Sequence, residues 1–123
     1  FLTGEVNIEE CFSEDDHRRN WPLEQLEQWR DSTKLFTKIA NELDLSTTQL
    51  ALLYCISYEF ISCTIPGIID KKHASENSSI LTKEFLKKEI LIKIEKIYNT
   101  NNFYNPKLKE NALKAELRSK KND

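Results

Sequence analysis

Of the 123 residues, only one internal stretch, Ile61 to Ile65, reads as a buried β-strand. It is short, apolar and β-branched, and Pro66 and Gly67 stop it. Phe1 to Val6 adds no more than a strand end running into a loop. Strands alternating with helices suggest βα units around a parallel sheet. A parallel sheet of one or two strands cannot cover both of its faces. Such a chain either belongs to a larger sheet protein or repacks its helices into a mostly α domain.

The helical signals are stronger. Leu23, Leu26, Trp29, Leu35, Phe36, Ile39, Ala40 and Leu43 recur mostly at three- and four-residue steps, which predicts a helix over 23–43. Pro22 suits its first turn. Ser46 followed by Gln49 is a capping box for a second helix. That helix, Gln49 to about Tyr58, is apolar around most of its girth and is expected to be buried on several sides. Asp70 is placed to cap a third helix over about 71–80, and Thr82 a fourth, in which Phe85, Leu86, Ile90, Ile94 and Ile97 share a face. Asn7 to Asn20 reads as a polar loop and Asn99 to Asn105 as another. Lys107 to Leu117 carries the pattern of a last helix, and the final Lys-Lys-Asn-Asp reads as disordered.

Composition narrows the function classes. Hydrophobic residues are 39% and charged residues 31%, the balance of a folded domain. A net charge of −2, with basic residues spread through the helices, leaves no footprint for nucleic acid. No apolar run approaches the roughly 18 residues of a membrane span. Cys11, Cys55 and Cys63 are odd in number and lack CxxC spacing, so neither a disulfide framework nor a zinc site is expected. Cys55 reads as a small buried hydrophobe, and a cytoplasmic location follows. Asp15-Asp16-His17 lacks a third ligand and His73 lacks partners, so no metal site is expected. Trp21 and Trp29 read as packing anchors. Glu84 and Lys88 are spaced as an i,i+4 ion pair.

Four stretches carry a family resemblance. Phe1-Leu2-Thr3-Gly4 looks like the loop after the seventh barrel strand of aldo/keto reductases, and Gln49-Leu50-Ala51-Leu52 looks like their helix-seven signature. Thr64-Ile65-Pro66-Gly67, with Glu76-Asn77 ten and eleven positions after the proline, resembles their eighth-strand cofactor motif. Asp15-Asp16-His17-Arg18 resembles the acidic-then-arginine loop of several branches. All four occur in the family's order. The resemblance covers roughly residues 1 to 98 and leaves the charged segment 99–123 as a tail, partly helical or disordered.

The resemblance implies a mostly α chain with one or two short strands, the C-terminal portion of a (β/α)8 TIM barrel. In that fold the active site lies at the C-terminal ends of the strands, often with a phosphate site after strands seven and eight. It implies an NADP-dependent oxidoreductase that reduces carbonyls. The cofactor-binding residues would be Leu2, Thr3, Gly4, Gly67, Lys71, Lys72, Glu76 and Asn77. The segment from Gly67 to Lys72 would meet the 2′-phosphate, and Glu76 and Asn77 would face adenine. The family's catalytic Asp, Tyr, Lys and His lie on earlier strands, so no catalytic residue is assigned and the chain alone is expected to be inactive. Ile69 stands where the family has Lys or Arg, three residues after the proline, and Lys71 and Lys72 would take over as point charges. The expected partner is the remainder of the barrel, in the same or a second chain, or a further copy of this one. The alternative is a non-catalytic helical binding or structural module derived from a truncated reductase.

Overall fold

Helix α1, Leu23–Glu42, follows the predicted periodicity and buries Leu26, Ile39 and Ala40. A computed structural model describes Asp16, residues 21–101 and Phe103. Pro22 precedes α1 as its N-cap residue, and its carbonyl accepts the amides of Gln25 (3.0 Å) and Leu26 (3.2 Å). The far end closes as a Schellman motif: Leu45 N–H donates to the Ala40 carbonyl at 2.9 Å and Asp44 N–H to that of Asn41 at 3.3 Å. Asp44 takes the left-handed position, at φ 53°, that glycine usually fills.

Helix α2, Thr47–Ile56, starts at the capping box that the spacing of Ser46 and Gln49 predicts. It buries Leu50 and Leu53, but Ala51 and Cys55 on its other side are exposed. The expectation of a helix covered on several sides, with Cys55 as a core residue, is therefore corrected. An all-apolar sequence fixes how much a helix has to bury, whereas the number of neighbours decides how much it does bury. Cys63 is exposed as well.

The predicted buried strand is also absent. Among the described residues there is no β-ladder, and residues 61–68 run without regular secondary structure. Ile65, expected inside, is 93% exposed. A strand is stable only when a neighbour takes its backbone donors and acceptors, and among the described residues no such neighbour lies beside this segment. The described chain is mostly α, as read; Phe1 to Val6, most of 7–20 and Lys107 to Leu117 lie outside the described residues.

Helix α3, Lys71–Ser79, is capped by Asp70 as predicted and runs into a 3₁₀ turn, Ile80–Thr82, that buries Ile80. Helix α4 is Lys88–Thr100, several residues later than a Thr82 cap would place it. The Thr82 hydroxyl bonds backward to the Ser79 carbonyl at 2.9 Å, so it closes the preceding turn instead of opening the next helix. Phe85 is consequently exposed, and Glu84 precedes α4 without the i,i+4 geometry expected of it with Lys88. Leu86 still reaches the core, its amide held by the Ser57 hydroxyl at 2.8 Å. At the other end α4 includes Asn99 and Thr100, which the asparagine-rich composition had suggested for a loop.

The core is Ile39, Ala40, Leu50 and Ile94, ringed by residues that include Phe36, Leu45, Tyr54, Leu86 and Ile90. Polar contacts tie α4 to its neighbours. Lys93 meets Glu42 of α1 at 2.5 Å, and the Tyr58 hydroxyl donates to Glu95. That bond to a carboxylate raises the Tyr58 pKa above the ordinary tyrosine value. Beyond α4 the Phe103 ring stacks on Tyr98 (5.4 Å) and leans on Phe36 (5.6 Å). Its carbonyl accepts from Trp29 Nε1 at 2.5 Å and Gln25 Nε2 at 3.1 Å. Trp29 also packs edge-on against Trp21 at 4.9 Å, the anchoring role expected of the pair.

Two stability changes are expected. Replacing Asp44 with Gly relieves the left-handed backbone and raises unfolding stability by about 1 kcal/mol. Leu53→Ala removes a side chain that is 1% exposed and lowers stability by about 2–5 kcal/mol. Urea midpoints of the two variants test both, and an Asp44→Gly midpoint below the wild type's would contradict the capping account.

Candidate functional site

Among the described residues that carry the resemblance, Gln49, Glu76 and Asn77 lie where the start of α2 meets α3. The capping box supplies the first half. Ser46 N–H donates to Gln49 Oε1 at 2.9 Å, and Gln49 N–H donates to Ser46 Oγ at 3.1 Å. Both side chains then reach across 30 residues. The Ser46 hydroxyl donates to Glu76 Oε1 at 2.5 Å, and Gln49 Nε2 donates to Ser79 Oγ at 2.7 Å. Ser79 Oγ donates in turn to the Glu76 carbonyl at 2.6 Å. A carboxylate beside the N-terminus of α2 also meets the positive end of that helix dipole.

Asn77 supplies the second half. It is 9% exposed, and its side-chain amide donates to the Gly67 carbonyl at 3.2 Å. This bond fixes the Ile-Pro-Gly turn against α3. Gly67 is exposed, with no atom within 4 Å of the position a Cβ would take, so its outer side is open to an approaching group. Glu76, half-buried, thus engages Ser46 at the start of α2, and Asn77 engages the Gly67 segment.

At the N-terminus of α3 the Asp70 carboxylate accepts the His73 amide at 2.8 Å, with His73 Nδ1 at 3.8 Å. The His73 amide bond holds the Asp70 carboxyl below its ordinary value, and Lys72 acts in the same direction. Lys71 and Lys72 are exposed on the first turn, and Ile69 is 90% exposed beside them. Leu2, Thr3 and Gly4 lie outside the described residues, as do Asp15, His17 and Arg18. Gly67, Lys71, Lys72, Glu76 and Asn77 are thus brought into one region.

Sequence reading assigned Ser46 to helix capping, gave Gln49 that role and a place in the helix-seven resemblance, and did not single out Ser79. Their second role depends on contacts 30 residues away, for which no local pattern exists. A second feature is an apolar groove of about 250 Å³ whose lining includes Phe36, Leu50, Ala51, Tyr54, Cys55 and Ile94. None of its lining residues belongs to the Gly67–Asn77 segment. Among the described residues no group of His, Cys, Asp and Glu is placed to hold a metal ion. No described helix is long and apolar enough to cross a membrane.

Two substitutions probe the clasp. Asn77→Ala leaves the Gly67 carbonyl without its donor and lowers stability by about 1 kcal/mol, read from the denaturation midpoint. The acid limb is set by carboxyls whose pKa values fall on folding. Lys93 depresses Glu42 from 4.5 and the His73 amide depresses Asp70 from 3.8. Their contributions are complete above those ordinary values and are lost as pH falls through the depressed folded ones. Asp70→Asn keeps a competent cap but removes one such carboxyl. Its melting temperature is expected to fall less steeply below pH 3.8; an acid limb identical to the wild type's would exclude Asp70 from it.

The chain matches no protein-family model, no curated protein and no solved structure.

Proposed function

We propose that these residues form the C-terminal, cofactor-side segment of an aldo/keto-reductase-like oxidoreductase, with the catalytic residues supplied from outside the segment. One observation carries the reading. Two stretches chosen for their likeness to that family adjoin: Asn77 bonds Gly67 within the motif that runs from Thr64 to Asn77, and Ser46, three residues before the Gln49 stretch, bonds Glu76. Further support comes from the irregular segment 61–68, where Ile65 is 93% exposed, and from Phe60 in the turn before it, 79% exposed. Exposed apolar side chains of this kind suit a surface that a neighbour covers. The neighbour would be the rest of the barrel, in this chain or another.

The cofactor the resemblance implies is a nicotinamide dinucleotide, which supplies hydride when bound. Its adenosine end would approach the open side of Gly67. Glu76 and Asn77 would shape that surface from behind. Lys71 and Lys72 suit a pyrophosphate as exposed point charges. The 2′-phosphate of NADP fits poorly, because Ile69 offers it no charge and the Asp70 carboxylate holds the nearest amide.

A second reading, a non-catalytic helical binding or structural module, is favoured by the internal engagement of Glu76 and Asn77. Titration of the 15N-labelled chain with 5′-AMP separates the two. Perturbation of the Gly67 and Lys71 amides is expected, with a dissociation constant in the millimolar range, about −4 kcal/mol. Spectra unchanged through saturating millimolar AMP would overturn the cofactor-side assignment and leave the helical module.

A further inference from the structure

We infer that the apolar groove beside α2 is the seat of this chain's own segment 107–117, docked through Leu113 and Leu117 along the flank of α2 that no described helix covers. Helix α2 motivates the inference. Its sequence from Thr47 to Ile56 contains no charged residue. Leu50 and Leu53 are buried, yet Ala51 and Cys55 on the other side are exposed. That side, together with Phe36 of α1 and Tyr98 of α4, lines the groove of about 250 Å³. Small-molecule pockets begin at roughly 300 Å³, and the smaller space suits leucine-sized side chains. The recognition mode that fits is an amphipathic helix laid into a groove, with its anchors one turn apart.

The course of the chain names the occupant. The Phe103 ring stacks on Tyr98 at 5.4 Å and leans on Phe36 at 5.6 Å, and both of those rings line the groove. Residues 104–123 therefore leave from its rim and not from a distant face. Leu113 and Leu117 are spaced to share one face of the helix that the pattern from Lys107 predicts, and Pro106 suits its start. The lengths agree as well. Residues 104–106 reach roughly 10 Å when extended. A helix over 107–117 would span about 16 Å, against about 15 Å for α2, at about 1.5 Å per residue. A short tether holds such a segment at an effective concentration on the order of millimolar, which any free partner would have to exceed. The inference does not rest on the cofactor-side reading, because no lining residue of the groove belongs to the Gly67–Asn77 segment.

Cys55 reports on the groove from its wall, and Cys63, exposed and outside the lining, is the reference thiol. The full chain is alkylated with iodoacetamide, and each thiol is followed by peptide mass spectrometry. The double variant Leu113→Asp, Leu117→Asp is expected to raise the Cys55 rate by roughly tenfold, the protection lost when a cover favoured by about 1.4 kcal/mol is released. The Cys63 rate is expected to stay as it is in the wild type. An unchanged Cys55 rate in the variant would overturn the inference. So would wild-type protection that fades on dilution, which would assign the groove to a second copy of the chain. Methyl NOEs from Ala51 to Leu113 or Leu117 in the unsubstituted chain check the contact without relying on the variant's fold. They are expected, and their absence would remove the segment from the groove.

Discussion

The bond from the Ser46 hydroxyl to the Glu76 carboxylate joins three parts of the protein at one atom. Ser46 ends the turn out of α1, caps α2 and grips α3 through the same Oγ. Hydrogen bonds to charged groups contribute about 1.5–3 kcal/mol when partly buried. Without this one, α3 is held to α2 by the Gln49–Ser79 bond and the packing of Ile80. The Gly67 turn depends on it at one remove, because Asn77 reaches Gly67 only while α3 is held where it is.

Local signals in the sequence were faithful wherever the controlling interaction is also local. The apolar steps of 23–43, the Ser46-Gln49 box and the Asp70 cap all involve residues within a turn of each other, and each element forms where expected. Prediction failed where the outcome depends on a distant neighbour. Ile61 to Ile65 has the composition of a buried strand, yet composition supplies no partner for its backbone. Cys55 sits in an apolar run, yet it lies on the side of α2 that no described helix covers. Thr82 is a competent cap, but a closer carbonyl, that of Ser79, claims its hydroxyl.

The candidate site shows the same division. Gly67, Lys71, Lys72, Glu76 and Asn77 were legible as a group through their spacing and likeness to a family. The internal partners of the side chains were not, because Asn77 bonds the Gly67 carbonyl and Glu76 bonds Ser46, 30 residues away. Burial explains the outcome. An amide at 9% exposure needs an internal partner, and the Gly67 carbonyl is within reach.

The grip of α1 on Phe103 has a consequence for the order of folding. Its two hydrogen bonds connect residues 78 and 74 positions apart, so they close nearly all of the described chain into a ring. Helices form from contacts within a few residues, on a far shorter timescale than long-range closure. Closing so large a loop costs only slightly more than closing a moderate one, since the cost grows with the logarithm of length. The core of Ile39, Ala40, Leu50 and Ile94 can therefore gather α1, α2 and α4 before the ring closes, and the bond from Trp29 to Phe103 then adds a late tie between α1 and the chain beyond α4.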